Sequence, residues 1–123
     1  MKRLTQYGLV YLATPYRKYP RGLEMAFYDA TMISGILTYR FGVKLFCPIT
    51  HGHPMTKIAC LPADDHKFWM EQDRPFMERS DALVVARMEG WDKSEGVAEE
   101  ISFFRSWNRP VFHLDPENME IVE

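Results

Sequence analysis

The apolar positions along this chain change period several times, and each change marks an element. GLVYLAT (8–14) is short, continuous and β-forming, and it stops at Pro15, which predicts a buried first strand. Across 23–41, Ala26, Ala30, Ile33 and Leu37 recur at steps of three and four, the spacing of a helix face packed on a sheet. Gly42 then supplies the glycine expected just past a helix end. VKLFCP (43–48) predicts a second short strand closed by proline, whereas ITHGHPMTKIACLP has no clean period and predicts a loop. ADDHKFWMEQDRPFMERSD opens on acidic capping residues and has helical spacing at Phe68, Trp69 and Met77. Pro75 lacks a backbone donor, which predicts a kink or a restart just after Asp73. ALVVARM (82–88) is the clearest buried strand, residues 94–107 a helix, PVFHL (110–114) a fourth strand, and NMEIVE a weak edge strand.

Continuous apolar strands alternating with helices belong to a parallel sheet covered on both faces. With right-handed crossovers, this predicts an α/β, three-layer fold, flavodoxin-like or Rossmann-like, with four to five mostly parallel strands. Ligands in such sheets bind outside the carboxyl ends of the strands. Residues 13–22, 48–60, 88–96 and 115 onward are therefore the places to search.

The 123 residues suffice for one domain (1–123) with a sizeable core, and no repeat or linker divides them. A formal net charge of -2 provides no global electrostatic attraction for a nucleic-acid polymer or an acidic membrane. Lys2, Arg3, Arg17, Lys18 and Arg21 gather near the start as a solvated face from which an anion site could draw an arginine. No apolar run is long enough for a membrane span, and the start reads as a strand rather than a signal peptide. Cys47 and Cys60 read as reduced thiols of a cytoplasmic protein. His51, His53, Cys60 and His66 do not follow a zinc spacing, so they are read as meeting substrate or solvent, with no metal and no cofactor.

One carboxylate breaks the pattern. On a wheel of 100° per residue, Val97, Ile101, Phe103, Phe104 and Trp107 share an arc, and Glu100 falls inside it. Glu95 and Glu99 lie opposite, with Ser102 and Ser106. A carboxylate facing a sheet loses hydration at a cost of several kcal/mol unless paired or neutralised, and its pKa rises. Two readings stand for Glu100: a tuned catalytic carboxyl, or a boundary residue reaching water or an arginine. Upstream, Ser94 suits an N-cap, and Ser94 with Gly96 would let an oxyanion approach the helix start, although a plain cap is the better reading of a lone Ser-x-Gly. Asp73, two residues before Pro75, is either a second functional acid or the cap of a restarted helix.

VYLATPYR at the first strand, Asp73, SDALVV and GWDKSEGVAEE, in that order and spacing, resemble the nucleoside 2-deoxyribosyltransferase superfamily, which includes deoxynucleoside 5′-monophosphate N-glycosidases. The resemblance covers roughly residues 8–114 and is strongest to small uncharacterised bacterial and phage members. It implies a flavodoxin-like homodimer or higher homo-oligomer acting on a small-molecule nucleoside or nucleotide. It also implies cleavage or exchange of the N-glycosidic bond, with Glu100 as nucleophile, Tyr11 steering it and Asp73 handling the leaving base. Ser94 matches a position that binds phosphate in monophosphate-cleaving members, which favours a 5′-phosphorylated substrate, although Asp92 nearby opposes an anion. Thr14, Tyr16 and Arg17 would complete a phosphate site. The first loop, TPYRKYPRG, departs from the family's glycine- or serine-rich form, and Asn118 is the nearest candidate for a residue lent to a neighbouring subunit. The alternative is a non-catalytic nucleotide-binding or sensor domain of the same fold.

Overall fold

A computed structural model describes residues 1–123. One sheet contains β1 (Val10–Ala13), β2 (Leu45–Phe46), β3 (Ala82–Ala86), β4 (Val111–Asp115) and β5 (Glu120–Val122) in the order β2-β1-β3-β4-β5. β1 runs parallel to β2 and β3, with Val10 opposite Ala82 and Ala13 opposite Val85. β3 is parallel to β4, and β5 alone is antiparallel. This is the flavodoxin strand order with a reversed edge strand.

The helices are α1 (Lys2–Thr5), α2 (Leu23–Gly35), α3 (Pro48–Ile58), α4 (His66–Arg79) and α5 (Glu95–Ser106), and α2 continues into a π turn over Ile36–Arg40. Every residue of β1 and β3 is buried because helices cover both sheet faces. On one face Val10, Leu12, Val84 and Ala86 pack with Ala26, Ala30, Ile33 and Leu37 of the α2 segment. On the other, Tyr11, Ala13, Leu83 and Val85 meet Met77 of α4 and Val97 and Phe104 of α5. Burying one such aliphatic side chain contributes about 1.5–3 kcal/mol, so the two-sided sheet fixes which face each strand residue takes. No helix is long and apolar enough to cross a membrane.

The sequence pattern and the fold part company in four places. Much of the stretch expected to be a loop after residue 48 is α3, with Pro48 in the first turn, where its missing N–H leaves no bond unmade. α4 runs unbroken past Pro75, so no restart follows Asp73. Its cap is Asp65, whose side chain accepts from the Phe68 N–H at 3.2 Å, which removes the capping role for Asp73. The second strand contracts to two residues, and a short unforeseen helix, α1, precedes the first. Gly42, at φ +73°, ends the α2 segment as its position predicted, in a conformation that a side chain would strain.

Candidate functional site

Ser94 starts α5: its Oγ accepts from the Val97 N–H at 3.2 Å. From that start the wheel is realised in part. Val97, Glu100 and Phe104 are buried, and Ile101 and Phe103 are half-buried. Trp107 lies just past the last turn, exposed and stacked on Phe103. Glu95 and Glu99 face outward, Glu95 3.8 Å from Lys18 and Glu99 2.8 Å from His66.

Glu100 is only 5% exposed and has no ion pair, so neither a solvent-reaching head nor an arginine accounts for it. Burial pushes its carboxyl up to about 8, with the charge of Asp73 adding to the shift and a Tyr11 interaction opposing it. Asp73, 8% exposed on α4, is pushed up to about 7 by burial. Tyr11 projects from β1 onto the same face, between Phe46 and Phe104. Its hydroxyl is buried, and desolvation, followed by the Glu100 and Asp73 charges, holds its proton well above the usual tyrosine range.

Glu100 and Asp73 line one cleft that opens to solvent. The loops after β1, β2 and β3 form its rim, at the point where the strand order reverses. Thr14, Tyr16, Arg17, Ser94 and Gly96 all line it. Tyr11 does not line the cleft itself but lies close to both of its acids, Glu100 and Asp73. Asp92 does not belong: it is exposed in a 3-10 turn (Trp91–Lys93), turned away because the chain coils once before α5 begins. The segment from 115 onward contributes nothing to this cleft, and the Asn118 Oδ1 accepts from the Glu120 N–H within the turn between β4 and β5.

Three buried side-chain atoms lack a hydrogen-bond partner: Tyr11 Oη, Thr14 Oγ1 and His53 Nε2. All three belong to residues in or directly behind the cleft. Folded chains rarely leave such groups unmatched, so their concentration here marks a place shaped by something other than packing. The cationic groups at the rim are already engaged, Arg17 with the Asp64 carbonyl at 3.0 Å and Lys18 with Glu95.

The pattern reading missed α3's contribution. Ile49, Gly52, His53 and Thr56 all line the cleft, at helical steps of three, one and three. The period was present but written in Gly, His and Thr, which an apolar count does not register. Trp69 lines the wall and donates Nε1–H to the Pro62 carbonyl at 2.9 Å. His66 also lines the cleft, while His51 packs against Phe46 and Phe76. No three His, Cys, Asp or Glu side chains converge as a ligand set.

Fold and cleft together define a doubly wound, flavodoxin-like α/β protein with two desolvated acids at its topological switch point. The family model described as Domain of unknown function (DUF1937) matches residues 8–115, and the chain belongs to that family. Comparison with curated proteins returns no match.

Proposed function

We propose that this protein cleaves or exchanges the N-glycosidic bond of a deoxyribonucleoside or its 5′-monophosphate. The observation that carries the reading is the pair of unpaired, buried carboxyls, Glu100 and Asp73, lining one cleft from separate helices. A structural role would give each a cation or a hydrogen-bond donor, and neither carboxyl has an ion pair.

Glycosidic cleavage builds positive charge on the anomeric carbon, and a dry carboxylate stabilises it more strongly than one in water. Glu100, once ionised, attacks that carbon. The bond to the base nitrogen breaks, and its electron pair leaves with the base, which takes the proton held by Asp73. Water, or the N–H of a second base, then attacks the same carbon, gives its proton to the Asp73 carboxylate and releases Glu100. The Tyr11 hydroxyl has no aligned partner, and a small turn toward Glu100 would let it donate to the ionised carboxylate's non-attacking oxygen. Ser94 and Gly96 line the cleft at the start of α5, which suits a 5′-phosphate, and Arg17 lines the same cleft.

The test is to incubate the protein with deoxyribonucleosides and their 5′-monophosphates and to separate base from sugar by chromatography. Free base, or base exchange when a second base is added, supports the reading. Tight binding with no base release would instead favour a nucleotide-binding module.

A further inference from the structure

His53, from α3, is 5% exposed and stacked on Phe27 of α2 with ring centroids 4.5 Å apart. Its Nδ1 lies 2.6 Å from the Tyr16 hydroxyl, and its Nε2 lies 3.3 Å from Glu24 Oε1, close but off a hydrogen-bond axis. Glu24 in turn lies 3.0 Å from Lys57 Nζ. Thr56 Oγ1 donates to the His53 carbonyl at 2.8 Å, adding a local tie to this turn of α3. Tyr16 and His53 both line the cleft, on the side contributed by the β1 loop and α3.

The order of these groups decides the direction of the hydrogen bonds. A carboxylate only accepts, and Glu24 lies beside Nε2, so the arrangement is that of the tautomer with its proton on Nε2. Nδ1 is then an acceptor, and the Tyr16 O–H must donate to it. With its proton directed to His53, the Tyr16 oxygen is left as an acceptor, with the Thr56 hydroxyl as its polar neighbour in the cleft wall. Such an oxygen is matched to a hydroxyl or N–H donor rather than to a phosphate oxygen.

We propose that Tyr16, positioned by His53 and Glu24, is the specificity residue for the sugar, accepting a hydrogen bond from the 3′-hydroxyl of the deoxyribose. The inference rests on the nucleoside reading: with the anomeric carbon at Glu100, the 3′-hydroxyl is the one ring hydroxyl a 2′-deoxyribose has left to donate, and Tyr16 lines the same cleft. Losing a buried hydrogen bond and leaving its acceptor unmatched costs roughly tenfold or more in affinity.

Calorimetric titration of a turnover-blocked Glu100→Gln protein tests this, using the four common 2′-deoxyribonucleosides, their 5′-monophosphates, and the 2′,3′-dideoxy counterparts of both. The bound pair is expected to show at least roughly tenfold weaker binding of the dideoxy compound. Adding Tyr16→Phe brings the ratio near unity by weakening only the deoxy compound. His53→Leu, which keeps the Tyr16 hydroxyl but frees it to rotate, also lowers the ratio. Equal binding of deoxy and dideoxy compounds to the Tyr16 protein overturns the inference alone. So does a Tyr16→Phe loss that is the same for both compounds. No binding of any compound overturns the nucleoside reading and takes this inference with it.

Discussion

Asp73 on α4 and Glu100 on α5 line the same cleft, and the charge of Asp73 is among the causes that hold the Glu100 proton on. Neither has a cation within ion-pair distance. Two such acids titrate as a unit, and the singly protonated pair keeps its proton mostly on Glu100, so the reactive arrangement, Glu100 ionised and Asp73 protonated, is its minor form.

The first consequence is thermodynamic. Glu100 binds its proton more tightly folded, at about 8, than an ordinary carboxyl at 4.5. Its contribution is therefore fully present below pH 4.5 and is lost as pH rises through about 8. Glu100→Gln does not titrate, so its stability relative to the parent should rise across that window, on the order of several kcal/mol in total. Denaturant unfolding at pH 5 and pH 9 checks this. Comparing the two pH values cancels the packing of the new amide, and a difference independent of pH contradicts it.

Activity should follow the pair. kcat/KM is expected to trace a bell, falling below about 7 as both acids become protonated and above about 8 as the second proton leaves. Replacing Asp73 with Asn should remove one limb and lower the maximum by roughly 10²-fold or more. A profile flat from pH 6 to 9 counts against the dyad.

Tyr11 separates function from stability. Its hydroxyl is buried without an aligned partner, so Tyr11→Phe should change unfolding free energy by less than about 1 kcal/mol. Turnover should still fall roughly 10-fold or more if the hydroxyl steadies the ionised Glu100. Thermal unfolding beside a base-release assay measures both, and loss of stability with activity intact reverses the assignment.

Arg109 makes a prediction remote from the chemistry. Its Nη1 converges on the carbonyls of Met77, Glu78 and Ser80, at 3.1, 2.6 and 2.8 Å, closing the end of α4. Arg109→Ala should destabilise the fold by about 1–3 kcal/mol. Because α4 carries Asp73, the acid limb of the pH profile should shift as well. An unchanged chemical-denaturation midpoint contradicts this role.

How much of this was readable in the residues differs by element. β1 and β3 were plain because strands buried on both faces are continuous apolar runs, and α2 because Ala26, Ala30, Ile33 and Leu37 keep one period. Glu100 stood out because it violates a face that Val97 and Phe104 define. α3 was hidden because Pro48, Gly52 and Pro54 imitate a loop while the residues on its cleft side are mostly polar or small. Pro75 misled in the opposite sense, since tertiary packing of Met77 and Asp73 holds α4 together across it. The Tyr16–His53 contact joins residues 37 positions apart, and no local pattern encodes it.

The most direct measurement compares base release from deoxyribonucleosides and their 5′-monophosphates by the parent protein and by Glu100→Ala. The parent should free base from at least one of them, and the variant should lose on the order of 10³-fold or more in rate while remaining folded. Full turnover by Glu100→Ala, or none by the parent with every substrate, contradicts the account.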